Sequence, residues 1–376
     1  AQDGARQDAQ AAPQTHPAAP FAPGPRSTFV QFRVDQRNVK ALLIENDTAW
    51  IGTSGGLIRY QPSADRYMRY DNRSGLLSNG VFHVSRIGDA IWVGTYGGGL
   101  SVLDPDSGRW RNYNIPNGLA DAFVYDVLQT RAGDIWIATW SGANRIVGGR
   151  MDAIESWRLY TVANTNGGLP NDWVYGLAEG PNGEIWLATE GGVARFANGR
   201  WDHWRHEDGL GAPFEKVRED IRFENDPARF SGHHARQKIE QGLENVTVAY
   251  NPNYVISLDV TDTGEVWAGT WGGGLSHFDG SRWKTYTVAD GLPGNHVFVL
   301  ERDHQGNLWI GTNNGLARLE GDTFVSYGRA DGLYSDVVFS LRFGPDGSAW
   351  VGGLGGVTWY PRGLAKRGVH GTASPG

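Results

Sequence analysis

Short apolar runs, each carrying one tryptophan and closing on a small residue, recur along the chain. They are Ala49-Trp50-Ile51-Gly52-Thr53, Ile91-Trp92-Val93-Gly94-Thr95, Ile135-Trp136-Ile137-Ala138-Thr139, Ile185-Trp186-Leu187-Ala188-Thr189, Val266-Trp267-Ala268-Gly269-Thr270, Leu308-Trp309-Ile310-Gly311-Thr312 and Ala349-Trp350-Val351-Gly352-Gly353. Each run is too short for a buried helix and is bounded by turn residues, so it predicts a strand covered on both faces. The Trp and the small residue two places on share one face of that strand. A ring on one sheet then fits where its neighbour carries only Gly or Ala.

Between these runs lie further strands. In the sixth unit, Val297–Asp303 precedes the Trp strand, and Leu316–Leu319 and Phe324–Tyr327 follow it, with turns at His304-Gln305-Gly306, Asn313-Asn314-Gly315 and Glu320-Gly321-Asp322. Strand units repeating about every 42 residues predict propeller blades. The fold expected is all-β, a seven-bladed β-propeller of four-stranded antiparallel blades. The last unit lacks an outer strand, and Thr28–Arg33 resembles the outer strands Arg282–Tyr286 and Thr323–Tyr327. The N-terminal strand is therefore expected to close blade seven, which pairs edges that would otherwise be free.

The rhythm breaks once. The connector from Gly-Leu to the next Val is short at Gly75 to Val81, Gly118 to Val124, Gly168 to Val174, Gly291 to Val297 and Gly332 to Val338, but runs from Gly209 to Val255 in the fourth unit. Residues 211–250 thus form a charged insertion between blades four and five. It carries Phe214 and His233-His234, with a short amphipathic helix expected around Ala235, Ile239 and Leu243. Long loops in compact domains are usually functional or disordered. Outside the propeller, expected over 28–360, residues 1–27 are rich in Ala, Gln and Pro and read as a disordered arm, and 361–376 as a flexible tail.

Units of this kind resemble the two-component regulator propeller repeat. The likeness rests on the Leu308-Trp309-Ile310-Gly311-Thr312 core, the Asn314-Gly315-Leu316 after it, the short aromatic outer strand and the connector Asp290-Gly291-Leu292-Pro293. It covers residues 28–360. The resemblance implies the fold and an exported location, since such repeats form periplasmic sensor parts of hybrid sensor kinases. Only one ring is present, so the signalling role does not carry over. A more distant likeness, of fold alone, is to streptogramin-lyase-type propellers.

Composition narrows the picture. Of 376 residues, 40% are hydrophobic and 12% aromatic, ample for a large core. The net charge of −7, with both signs mixed along the chain, gives no nucleic-acid footprint. Cysteine is absent, which excludes disulfides, thiolate nucleophiles and Cys-based metal sites. No apolar run approaches the roughly 18–20 residues of a membrane span. The start at Ala1-Gln2 matches the end left by signal-peptide removal, so a periplasmic or extracellular location is expected.

Candidate function falls on one rim. The loops after each Trp strand place Tyr96, Trp140, Glu190, Trp271 and Asn313 there, and the connectors add Tyr254 and His296. The insertion emerges at the same rim. Aromatic and amide groups converging on one face suit a protein hot spot or sugar stacking. An enzymatic reading pairs Glu190 with His296 as acid and base, but the repeats fix no second carboxylate beside them. His233 and His234 are read as solvent-exposed rather than as metal ligands. No catalytic residue, metal site or cofactor is assigned. The leading expectation is a non-catalytic exported protein-binding module, an accessory or scaffold subunit docking on a periplasmic or membrane complex. The alternatives are a sensor for a glycan or small ligand, and a lyase-like enzyme.

Overall fold

The computed structural model describes residues 28–221 and 226–364, together with the backbone of Gln14–Pro17. The remainder of the arm expected at 1–27 and of the tail expected at 361–376 lies outside the described residues. Among the described residues there are six antiparallel sheets, five with four strands and one with seven. The third unit is typical: Val124–Gln129, Ile135–Thr139, Gly142–Ile146 and Trp157–Tyr160 pair in that order.

Each part of the repeat has a local reason. The Trp strand is buried along its length, as in Ile135–Thr139. The closing Thr hydroxyl donates across the next turn, Thr139 to the carbonyl of Gly142 and Thr312 to that of Gly315. In the Asp-Gly-Leu connector, the Asp290 carboxylate accepts the Thr287 N–H at 2.9 Å. Gly291 then takes φ 97°, a conformation that favours glycine, and Leu292 drops into the core at 1% exposure.

Small residues set the contacts between sheets. A Cβ on Gly52 would stand 2.6 Å from Val81 Cγ1 of the next unit, and one on Gly94 would stand 3.0 Å from Val124 Cγ1. Gly269 faces Val297, Gly311 faces Val338, and Gly352 faces Val39 in the same way. Ala138 and Ala188 cluster with Val174 and Val255.

In the seven-stranded sheet two long strands each take part in two pairings. Val30–Glu45 pairs through Val39–Glu45 with Thr48–Thr53, and through Val30–Arg33 with residues 356–359, in the register Val30 to Trp359. Ala349–Tyr360 pairs in turn with Val338–Phe343. Gln14–Pro17 adds to the outer edge of this sheet against Arg66–Arg69. Main-chain pairing on an open edge needs no core of its own, so a segment too polar to fold alone can still join a sheet.

Among the described residues, each innermost strand carries a break in register directly after a Val that pairs with the Trp strand. The skipped residues are Lys40, Phe82, Tyr125, Tyr175, Ile256, Phe298 and Phe339. A bulge re-aims a side chain, and all seven line one cavity of about 820 Å³ among the inner strands.

The insertion folds around a small core of its own, in which Ala212, Val217, Ile221 and Tyr250 are buried. Its helix is Gly232–Glu240. Of the apolar stripe expected around Ala235, Ile239 and Leu243, Leu243 packs against the insertion's core and Ala235 is half-buried, but Ile239 is 63% exposed. The buried face carries Lys238, whose ammonium bonds Asp226 at 2.8 Å and the carbonyls of Val246 and Val248. Polar contacts within the insertion thus hold the helix beside its apolar ones, Lys238 meeting a carboxylate and two carbonyls of the same insertion.

Candidate functional site

The loops after the Trp strands and the inter-unit connectors bring the expected rim residues into one continuous chain of contacts. Tyr96 meets Trp140 edge-on, centroids 5.9 Å apart. Trp140 is sandwiched between Phe123 and Trp173, each at 4.1 Å with planes within 7°. His233 of the insertion continues the stack on Trp173. Both histidines reach Glu190, with His234 Nδ1 at 2.7 Å from Oε1 and His233 Nε2 at 3.2 Å from Oε2. The Tyr175 hydroxyl donates to the same carboxylate at 3.0 Å.

On the other side His234 stacks on Tyr254, Tyr254 on Trp271, and Trp271 meets the His296 ring edge-on. The Asn313 N–H donates to the His296 carbonyl at 3.1 Å. Phe214 alone stands apart from this chain, packed with Tyr250 in the core of the insertion.

Three expectations need correction. His233 and His234 do not point into solvent: their side chains are 29% and 15% exposed, because a carboxylate left bare under the insertion would be too costly to bury without donors. Glu190 takes its hydrogen bonds from these histidines and Tyr175, while His296 Nε2 donates to the Ala249 carbonyl at 2.7 Å. The acid–base pairing of Glu190 with His296 is thus replaced by two separate structural roles. Trp140, one of the rim aromatics offered for a protein hot spot or sugar stacking, has both ring faces covered by neighbouring rings.

The electrostatics follow from burial. Burial would raise the Glu190 pKa, but hydrogen bonds from His233 and His234 outweigh it and hold the carboxyl below its ordinary value. Burial lowers His296 to about 4, so its imidazole is neutral near pH 7. Tyr125, Tyr175 and Tyr254 are all pushed up by burial and stay neutral phenols. Among the described residues, no group of three or more His, Cys, Asp or Glu is placed to hold a metal ion.

The sequence reading missed Trp173, which carries the insertion's histidine, and the bulge residues. Their signal was the residue after the Val of each inner strand that pairs with the Trp strand, aromatic at Phe82, Tyr125, Tyr175, Phe298 and Phe339. It also missed Phe230 of the insertion, 85% exposed beside the cavity that it helps to line.

The profile of the two component regulator propeller family matches residues 118–141, 168–191 and 291–314, in each case from the Gly-Leu connector to the turn after the Trp strand. Among solved structures, the chain is similar to a domain named as the extracellular part of the hybrid two component system BT3049 from B. thetaiotaomicron. The match has a TM-score of 0.66 at 19% identity, over 89% of this chain and 41% of that one. The chain therefore spans about two fifths of that structure's length. Virginiamycin B lyase from Staphylococcus aureus, solved as an inactive variant with quinupristin, matches with a TM-score of 0.60 at 12% identity over 88% of this chain and 98% of that one. YCF48 bound to D1 peptide matches with a TM-score of 0.57 at 12% identity over 92% and 98%. At these identities the structures speak to fold alone. No curated protein matches the chain. No helix among the described residues is long and apolar enough to cross a membrane.

Proposed function

We propose that this chain, which carries the repeats of the two component regulator propeller family, is a non-catalytic recognition module that docks a protein partner on its insertion-bearing face. The fold belongs to the proposal as seven blades over residues 28–360, the seven-stranded sheet counting as two and Val30–Arg33 completing the last. The pairing of Val30 with Trp359 and the contact of Gly352 with Val39 support that count.

One observation carries the functional reading. The buried Glu190 ties the insertion to the face through two histidines, and the insertion leaves Phe230 and Ile239 exposed at 85% and 63%, Phe230 beside the cavity that it helps to line. Large apolar side chains held in the open on an ordered element mark an interaction surface. A propeller of similar fold is named as binding a peptide, and extracellular domains share the architecture. An exported location, and a role as accessory or scaffold subunit of a periplasmic or membrane complex, complete the proposal.

The test is affinity capture from native membranes with the wild type and with Phe230→Ser/Ile239→Ser. A defined partner should accompany the wild type and be lost from the double variant, with melting curves alike. Recovery of free monomer in both cases removes the proposal.

A further inference from the structure

The cavity among the inner strands holds a cation that, among the described residues, meets aromatic rings but no carboxylate. Six of its seven bulge positions present aromatic rings or Ile256, and the seventh presents Lys40. The Lys40 ammonium lies between two rings, 5.5 Å from the centroid of Phe82 and 5.1 Å from that of Phe339. Lys40 is exposed and lines the cavity.

Each acid lining the cavity is already engaged elsewhere. Asp126 pairs with His83 at 2.8 Å, Asp226 with Lys238 at 2.8 Å and Glu301 with Arg342 at 2.6 Å. Among the described residues Lys40 forms no ion pair. The tyrosines of the lining are neutral phenols and supply no counter-charge.

We propose that the cavity is a binding site for a carboxylate with an apolar body, the carboxylate pairing with Lys40 and the body lying against Phe82, Phe298 and Phe339. The volume, about 820 Å³, falls in the range of small-ligand pockets. A lining of rings with a single fixed charge gives both affinity and orientation. The protein around Lys40 lowers its pKa, and an incoming carboxylate supplies the counter-charge that the lining does not. The proposal does not rest on the docking reading: Phe230, which that reading uses, also lines the cavity, but the test below is read out at Lys40, which the docking reading does not use.

The experiment is calorimetric titration of the full chain with 3-phenylpropanoate and with 3-phenylpropanamide, its neutral isostere. A second arm uses the peptide Gly-Gly-Phe with a free or an amidated C-terminus. In at least one arm the acid should bind at least about tenfold more tightly than the amide. Preference in both arms means that a small acid suffices, and preference in the peptide arm alone identifies a chain terminus as the source. Lys40→Met should abolish the preference and Lys40→Arg should retain it, with melting curves unchanged. If acid and amide bind alike in both arms, if neither binds, or if Lys40→Met keeps the preference, the proposal is overturned.

Discussion

His234 Nδ1 stands 2.7 Å from Oε1 of Glu190, a carboxylate only 1% exposed. Residues more than forty places apart in sequence thereby fasten the insertion to the rim. Hydrogen bonds to a buried charge are worth more than neutral ones, and removing one partner leaves the other group unsatisfied.

Glu190→Gln should therefore loosen the insertion before it harms the sheets. The amide puts a donor where two imidazoles and the Tyr175 hydroxyl already donate. A loss on the order of 2 kcal/mol is expected, localised to residues 232–240. Hydrogen exchange should show faster exchange in that helix, with Ile135–Thr139 still protected. Uniform protection in the variant would mean that the contact does not hold the insertion.

Acid should weaken the fold in two steps of the same sign. His296 has a folded-state pKa of about 4, below its ordinary 6.5, so the unfolded chain binds the proton more readily. Its contribution is complete above pH 6.5 and is lost as pH falls toward 4, to a total on the order of 3 kcal/mol. Glu190, also lowered, adds a loss below the ordinary carboxylate value of 4.5. Thermal melts from pH 7 to 4 should fall along this course, and His296→Gln should flatten the segment between 6.5 and 4. A variant with the wild-type slope would refute the assignment.

The packing between sheets has its own test. A Cβ at Gly52 would stand 2.6 Å from Val81 Cγ1 and 3.0 Å from Ala41 Cβ. Gly52→Ala should cost about 1–3 kcal/mol through overpacking, visible as a lowered midpoint in urea with an unchanged slope. A neutral result would mean that neighbouring sheets yield easily there.

Much of this packing was legible in the sequence because it recurs. The Trp strand, the Gly-Thr turn and the Asp-Gly-Leu connector each solve one local problem in the same way several times, so spacing alone exposes them. The rim residues were found together for the same reason, since Tyr96, Trp140, Glu190, Trp271 and Asn313 hold one recurring loop position and Tyr254 and His296 another. What occurs once was hidden. The insertion has no repeat to be read against, so nothing announced that His233 would lie on Trp173 or that Lys238 would be buried. An apolar pattern suggested Ile239 as an anchor, yet it is exposed. The bulges escaped because a pattern of alternating faces places Lys40 and Tyr175 on a strand without showing that an extra residue turns them inward.

Phe32 tests the junction of the chain's two ends. Its ring stacks against Trp350 at 6.2 Å and meets Tyr60 at 4.9 Å, while its backbone pairs with Val357. Phe32→Ala should cost about 2–4 kcal/mol and open residues 349–360 to limited proteolysis. Unaltered resistance would argue against the N-terminal strand completing that sheet.

The docking claim is tested most directly by placing a photo-crosslinking residue, benzoylphenylalanine, at position 230 in cells, with position 132 as control. Ala132 lies in the turn between Val124–Gln129 and Ile135–Thr139, at the end of the sheet opposite the insertion. A discrete adduct from position 230 and none from 132 is the predicted result. No adduct at 230, or the same adducts from both positions, would contradict it.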